Sequence, residues 1–314
     1  MNAASAPPVC SIGVVGAGAV GQAVAMALVA AGLCEQLIIA SRTLEQARSM
    51  VADLDDMRLA LASPTHPHAT TTAGLHDCQV VVVAARARFT NAKDTDIRMG
   101  GVTANGRIID ELARSLRGFG GVVVMVTNPV DLMSRLFAEV SGILRVVGIG
   151  SNLDSARYRL VLARMLDVPP HTVRGSVIGE HGDTLVICAS STTVSGGAVQ
   201  VPVDQVRAAL LSRSGQISRG VGRTRSGPAG AVLSTLRLVL GLADGVQELC
   251  SPYRRGWLGL PVSFTGCHAR VRLPPLDPAE TDCLQASEDK LCASYEVMAE
   301  YLHRSSLREF QIPQ

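Results

Sequence analysis

The string Gly16-Ala17-Gly18-Ala19-Val20-Gly21 lies between a β-branched run, Ser11-Ile12-Gly13-Val14-Val15, and an alanine-rich stretch from Gln22 to Ala31 that Gly32 closes. Three glycines at that spacing carry weight here because a strand precedes them and a helix follows. Gly16 permits a tight turn out of a strand, and Gly18 lets a phosphate approach the backbone. Gly21 lets the next helix pack closely on the strand, and the helix N-terminus attracts negative charge. The spacing predicts a strand–turn–helix unit in which Gly16, Gly18, Ala19, Val20 and Gly21 cradle a dinucleotide pyrophosphate.

The flanking pattern supports this reading. Leu37-Ile38-Ile39 reads as a second strand and Leu44 to Leu61 as a helix. The apolar runs Val80–Val83 and Val122–Val126 suit strands covered on both faces, and Val146–Ile149 reads as one more. This βαβα rhythm predicts an α/β, doubly wound parallel sheet of Rossmann type over residues 10–150. Residues 151–314 read differently. A helix from about Asp154 to Leu166 is stopped by Pro169-Pro170, and a β-rich stretch covers Val173 to Val203. Helices follow at Ala231–Leu242 and from Ser287 to about Leu302. That half reads as an α+β substrate domain packed broadly on the first.

Composition removes several classes of function. With 47% hydrophobic and 18% charged residues the chain is globular rather than disordered. The net charge is +2, the arginines are scattered, and Lys93 and Lys290 are the only lysines. No basic footprint for nucleic acid is present. The eight cysteines form no C-x-x-C pair, and a chain of this size needs no disulfide staples. Cys10, Cys34 and Cys188 are expected as small core residues. No histidine or cysteine spacing suggests a metal. No apolar run approaches the ~18 residues of a membrane span, and Met1 to Pro8 lacks a signal-peptide pattern. A cytoplasmic protein is expected.

An NAD site usually keeps an acidic residue at the end of the second strand, where it binds the adenosine ribose. Here that position reads Ala40-Ser41-Arg42-Thr43. Without the carboxylate's repulsion, Ser41 and Arg42 suit a 2′-phosphate, so NADP is expected and NAD is the alternative.

Three further strings complete the pattern: Thr127-Asn128-Pro129-Val130-Asp131, Asn152-Leu153-Asp154-Ser155-Ala156-Arg157 and Ile178-Gly179-Glu180-His181-Gly182-Asp183. In their order and spacing they resemble the L-lactate/L-malate dehydrogenase family, and the resemblance runs from Ile12 to the last helix. It implies a nicotinamide-dependent 2-hydroxyacid dehydrogenase acting on a small 2-oxo or 2-hydroxy acid. His181 would be the proton donor and acceptor, Asp154 its carboxylate partner, and Arg157 the fork that grips the substrate carboxylate. Asn128 would lie beside nicotinamide and substrate, with Asn105 at the start of a cofactor-binding helix. Arg98 would be the loop arginine that polarises the carbonyl. The resemblance also implies a homo-oligomer, dimer or tetramer. Arg159 and Arg174 fall near positions where some bacterial relatives bind an allosteric sugar bisphosphate, and read more simply as surface arginines.

The chain departs from the family after its third buried strand, where Ala84-Ala85-Arg86-Ala87-Arg88-Phe89 replaces a small Thr-Ala-Gly step. The position that separates lactate-type from malate-type enzymes then falls at Arg88, Phe89 or Ala92. Arg88 would bind a second carboxylate, whereas Ala92 would admit a bulky group. Either way a substrate other than pyruvate is expected. Gly227-Pro228 stands where a Thr-aromatic pair is common. Two other functions compete: a non-catalytic nucleotide-binding regulatory module on the same fold, and a nicotinamide-using glycosidase. The second lacks a metal-binding Cys/His pair.

Overall fold

The computed structural model describes residues 9–87 and 101–309. Strand β1 (Val9–Val15) leads through α1 (Ala19–Ala31) to β2 (Cys34–Ala40), and α2 (Leu44–Leu61) leads on to β3 (His66–Thr70). Then come β4 (Val80–Val83), α3 (Val102–Ser115), β5 (Val122–Met125), α4 (Val130–Ser141) and β6 (Val146–Gly148). The strands pair in parallel in the order β3-β2-β1-β4-β5-β6. Parallel neighbours need crossovers, which helices supply. The order reverses between β1 and β4, and ligands of such sheets bind at that reversal, beyond the strands' carboxyl ends.

The elements follow from local chemistry. Gly32 adopts φ +56° and ends α1, its N–H bonded to the Leu28 and Val29 carbonyls. Thr43 caps α2 by accepting from the Gln46 N–H at 3.2 Å. All four valines of β4 are fully buried, as the unbroken apolar run requires.

The remaining chain forms α5 (Ser151–Leu166), β7 (Val173–Arg174), β8 (Val177–Gly179), β9 (Leu185–Ile187), β10 (Thr193–Val194) and β11 (Gly197–Ala198). Helices α6 (Val203–Val221) and α7 (Ser226–Val239), strands β12 (Gly245–Tyr253), β13 (Gly256–Thr265) and β14 (His268–Val271), and helix α8 (Pro278–Glu309) follow. Strands β12 and β13 form an antiparallel hairpin around Arg254-Arg255. A single bridge, Cys250 to Gly148, joins β12 to β6, so one sheet continues through β13, β8 and β9.

Two cores sandwich the sheet. One gathers Ile109 and Leu112 of α3, Met133 and Phe137 of α4, and Leu291 and Met298 of α8. The other gathers Val24 and Leu28 of α1 and Met50 of α2, with Val232 and Leu236 of α7, Leu249 of β12 and Phe264 of β13. The second core therefore draws on both halves of the chain.

The structure adds β3, α6 and the β12–β13 hairpin, none of which the sequence pattern announced, and extends the last helix to Pro278–Glu309. Cys34 and Cys188 are buried as expected, but Cys10 is exposed. It sits near the start of β1, where strand alternation turns it away from the core.

Candidate active site

The glycine turn sits beyond the carboxyl end of β1. Gly16 has φ +112°, and a β-carbon there would stand 2.8 Å from the Ala84 carbonyl, so the 84–87 segment crosses directly over the turn. A β-carbon on Gly21 would lie 1.8 Å from the Gly16 oxygen. At Gly18 it would meet nothing within 4 Å, and no side chain caps the start of α1 there. Two glycines are thus demanded by packing, and the one between them faces open space. That fits a pyrophosphate held at a helix N-terminus. At the end of β2, Ser41 Oγ donates to Gln46 Oε1 at 2.8 Å, and Arg42 is exposed.

Asn105, buried in the first turn of α3, accepts from the Ala87 N–H at 2.9 Å and donates to the Asn128 carbonyl at 2.8 Å. Thr127 Oγ1 donates to the Ala85 carbonyl at 2.6 Å. These bonds tie the segment after β4 to the end of β5. Exposed Asn128 precedes a cis Pro129 at that same edge.

A histidine, a carboxylate and an arginine assemble beside it. Asp154 and Arg157 stand one turn apart on α5, on the same face, and are 2% and 6% exposed. Asp154 splits its carboxylate. Oδ2 meets His181 Nδ1 at 2.5 Å, and Oδ1 accepts from Arg157 Nη1 at 3.4 Å. A carboxylate on Nδ1 selects the tautomer with its hydrogen there, leaving Nε2 to exchange a proton. A β-carbon on Gly150 would lie 2.6 Å from His181 Cγ, so the β6–α5 junction backs the imidazole closely.

Asp131 is a contributor that sequence reading did not assign. It lies in the first turn of α4 and accepts from the His181 N–H at 2.9 Å. Burial raises its carboxyl to about 7; Glu180 and Asp154 add to the rise, and the His181 N–H and Cys250 offset part of it. Its signals were its place at the end of the Thr127–Asp131 string and a charge inside an otherwise apolar helix start.

Arg88, Phe89, Ala92 and Arg98 lie outside the described residues. Arg86 is exposed, and its acidity is shifted by partial desolvation and then by Arg223, whose positive charge faces it. Arg159 donates to Glu248 at 3.0 Å and to the Gly175 carbonyl at 2.9 Å, both internal ties, while Arg174 is exposed. Among the described residues, no helix is long and apolar enough to cross a membrane.

Residues 10–148 match the NAD-binding domain of lactate/malate dehydrogenase, and residues 151–214 match that family's alpha/beta C-terminal domain. The chain belongs to the lactate/malate dehydrogenase family. The L-lactate dehydrogenase of Limosilactobacillus reuteri is 29% identical over 299 residues, covering 88% of this chain and 91% of that one. That of Staphylococcus epidermidis is 28% identical, covering 90% and 95%. Among solved structures, a minor L-lactate dehydrogenase from Enterococcus mundtii superposes with a TM-score of 0.84 at 23% identity, over 92% and 98% of the two chains. The malate dehydrogenase of Plasmodium falciparum gives 0.85 at 18% identity, over 93% and 99%. As a lactate/malate dehydrogenase-family enzyme, the chain is an oxidoreductase that uses a nicotinamide cofactor and acts on a small molecule.

Proposed function

We propose that the chain interconverts a 2-oxo acid and its 2-hydroxy acid, with His181 as the general acid–base. The observation that carries the reading is the chain of contacts from Arg157 through Asp154 to His181. In this reading residues 10–150 form the dinucleotide-binding domain and 151–314 the catalytic domain, as a cytoplasmic homo-oligomer, dimer or tetramer.

When bound, the nicotinamide cofactor supplies or accepts the hydride at the substrate's C2. Gly16, Gly18, Ala19, Val20 and Gly21 hold the pyrophosphate, and Asn105 and Asn128 hold the nicotinamide end. Arg157 orients the substrate by its carboxylate. During reduction His181 Nε2 gives its proton to the C2 oxygen as the carbonyl becomes a hydroxyl. Asp154 stabilises the imidazolium before that transfer and fixes the ring throughout. By the family resemblance Arg98 would polarise the carbonyl, and Arg88, Phe89 or Ala92 would select the substrate's side group.

Ser41 and Arg42 support a preference for NADPH. A charge-assisted contact to the 2′-phosphate is worth roughly 1.5–3 kcal/mol, on the order of 10- to 100-fold in affinity. For the substrate, the relatives named L-lactate dehydrogenase make pyruvate the natural competitor. The departure Ala84-Ala85-Arg86-Ala87-Arg88-Phe89, with arginines in place of small residues, supports a substrate with a second acidic group instead. Initial rates with pyruvate, oxaloacetate and a phenyl-bearing 2-oxo acid, each with NADPH and NADH, decide both points. Oxaloacetate with NADPH is expected to be fastest; pyruvate ahead of the other two would defeat the substrate reading, and a clear NADH preference the cofactor reading. His181→Asn should cut turnover by about 10²- to 10⁴-fold while the cofactor still binds.

A further inference from the structure

Of the two lysines in a chain that otherwise uses arginine, Lys290 lies in α8 with its side chain 32% exposed. Its Nζ donates to both carboxylate oxygens of Glu180, 2.8 Å to each. Glu180 is 3% exposed and immediately precedes His181. Its Oε2 also accepts from the Thr184 N–H at 3.0 Å and the Thr184 hydroxyl at 2.6 Å, closing the turn that carries the histidine. The Glu180 N–H donates to Ser287 Oγ, again on α8, at 2.7 Å. The turn fits tightly against these partners. A β-carbon on Gly182 would stand 2.4 Å from Glu180 Cδ, and one on Gly179, at φ +81°, 2.9 Å from Ser287 Oγ.

The histidine is therefore held from two directions. Helix α5 brings Asp154 and Arg157 to the ring, α4 brings Asp131 to the backbone N–H, and β12 brings Cys250 against Asp131. The turn itself contributes Glu180 and exposed Asp183, and α8 contributes Lys290. Of these groups around the histidine, the buried carboxylates are Asp131, Asp154 and Glu180. Removing Lys290 would leave the one nearest in sequence to His181 without its ammonium partner.

We propose that Lys290 and Glu180 act as a positioning pair for the acid–base histidine, pinning the 180–184 turn to α8 and setting the charge of the turn that carries the imidazole. The pair rests on the reading of His181 as the proton carrier. Taking away the lysine leaves excess negative charge, which favours the imidazolium; taking away the glutamate charge leaves excess positive charge, which opposes it.

The test is an NMR titration of the His181 ring in the full-length protein, its resonance assigned by its absence from the His181→Asn spectrum. Lys290→Met should raise the midpoint by about 0.5–1 pH unit, and Glu180→Gln should lower it by a similar amount. The double variant should return close to the parent, and Lys290→Arg should hold the parent's midpoint. Thermal melts establish that each variant is folded. Should Lys290→Met fail to fold, Glu180→Gln and the double variant decide the matter. Unmoved midpoints in folded single variants would overturn the proposal and leave the contact a plain structural tie. Full turnover in His181→Asn would overturn the assignment beneath it, a separate result that the titration does not mimic.

Discussion

At Gly21 a β-carbon would overlap the Gly16 carbonyl, whereas at Gly18, with φ −81° and ψ 178°, it would meet open space. Gly21→Ala should cost about 1–3 kcal/mol in urea unfolding. Gly18→Val should leave stability within roughly 0.5 kcal/mol yet abolish cofactor binding read by nicotinamide fluorescence. Retained binding in Gly18→Val would remove the pyrophosphate from that turn. Asp131 gives a second residue-level expectation. Its carboxyl is raised by burial from 3.8 to about 7, so the fold holds that proton more tightly than the unfolded chain does. Its stabilising contribution is complete below the unfolded value and is lost as pH climbs to the folded one. The stability difference between the parent and Asp131→Asn should therefore fall between 3.8 and about 7 and level off above. A flat difference across that window would refute the protonated state. His181, Asp154 and Arg157 were legible because each stands inside a contiguous string. Asp131 also ends such a string, but its contact with the His181 backbone, 50 residues away, was not legible, and Lys290 stands in no string, with its partner 110 residues away.

Helix α2 shows how far local chemistry reaches. Its span of Leu44–Leu61 matches the range read from the sequence, because the helical pattern there is long and unbroken. The Thr43 cap matters to the site as well, because Gln46 donates its backbone N–H to Thr43 and accepts from the Ser41 hydroxyl on its side-chain oxygen. Thr43→Ala should cost about 1 kcal/mol of stability and narrow the NADPH-to-NADH ratio of catalytic efficiencies by loosening Ser41. An unchanged ratio alongside the stability loss would show that Ser41 is held by other means. Other elements were hidden for physical reasons. Strand β3 is an edge strand reading His66-Pro67-His68-Ala69-Thr70, with a proline and little apolar content. The β12–β13 hairpin turns on Arg254-Arg255 and holds Pro252 and Pro261, so it offers neither a glycine turn nor clean alternation. Gly215 and Gly220 interrupt the pattern of α6.

Across the whole molecule the thiols report the packing. Cys34 and Cys188 are pushed up to about 12 and Cys78 to about 11 by burial, and Cys250 is raised well above its ordinary range for the same reason. Cys10, Cys267 and Cys283 are exposed. A thiol reagent near neutral pH should therefore label those three rapidly, with Cys34, Cys78, Cys188 and Cys250 reacting only on unfolding. Rapid native labelling at Cys250 would mean that the ground beneath His181 opens readily. The shared second core bears on inheritance as much as on stability. Helix α7 and the β12–β13 hairpin roof the same layer as α1 and α2, so a genetic crossover at Gly150 would separate surfaces that were selected together. Descendants that exchanged nucleotide-binding halves at that point would inherit a mismatched seam, and the unit that can be traded between relatives is the first half together with its distant roof.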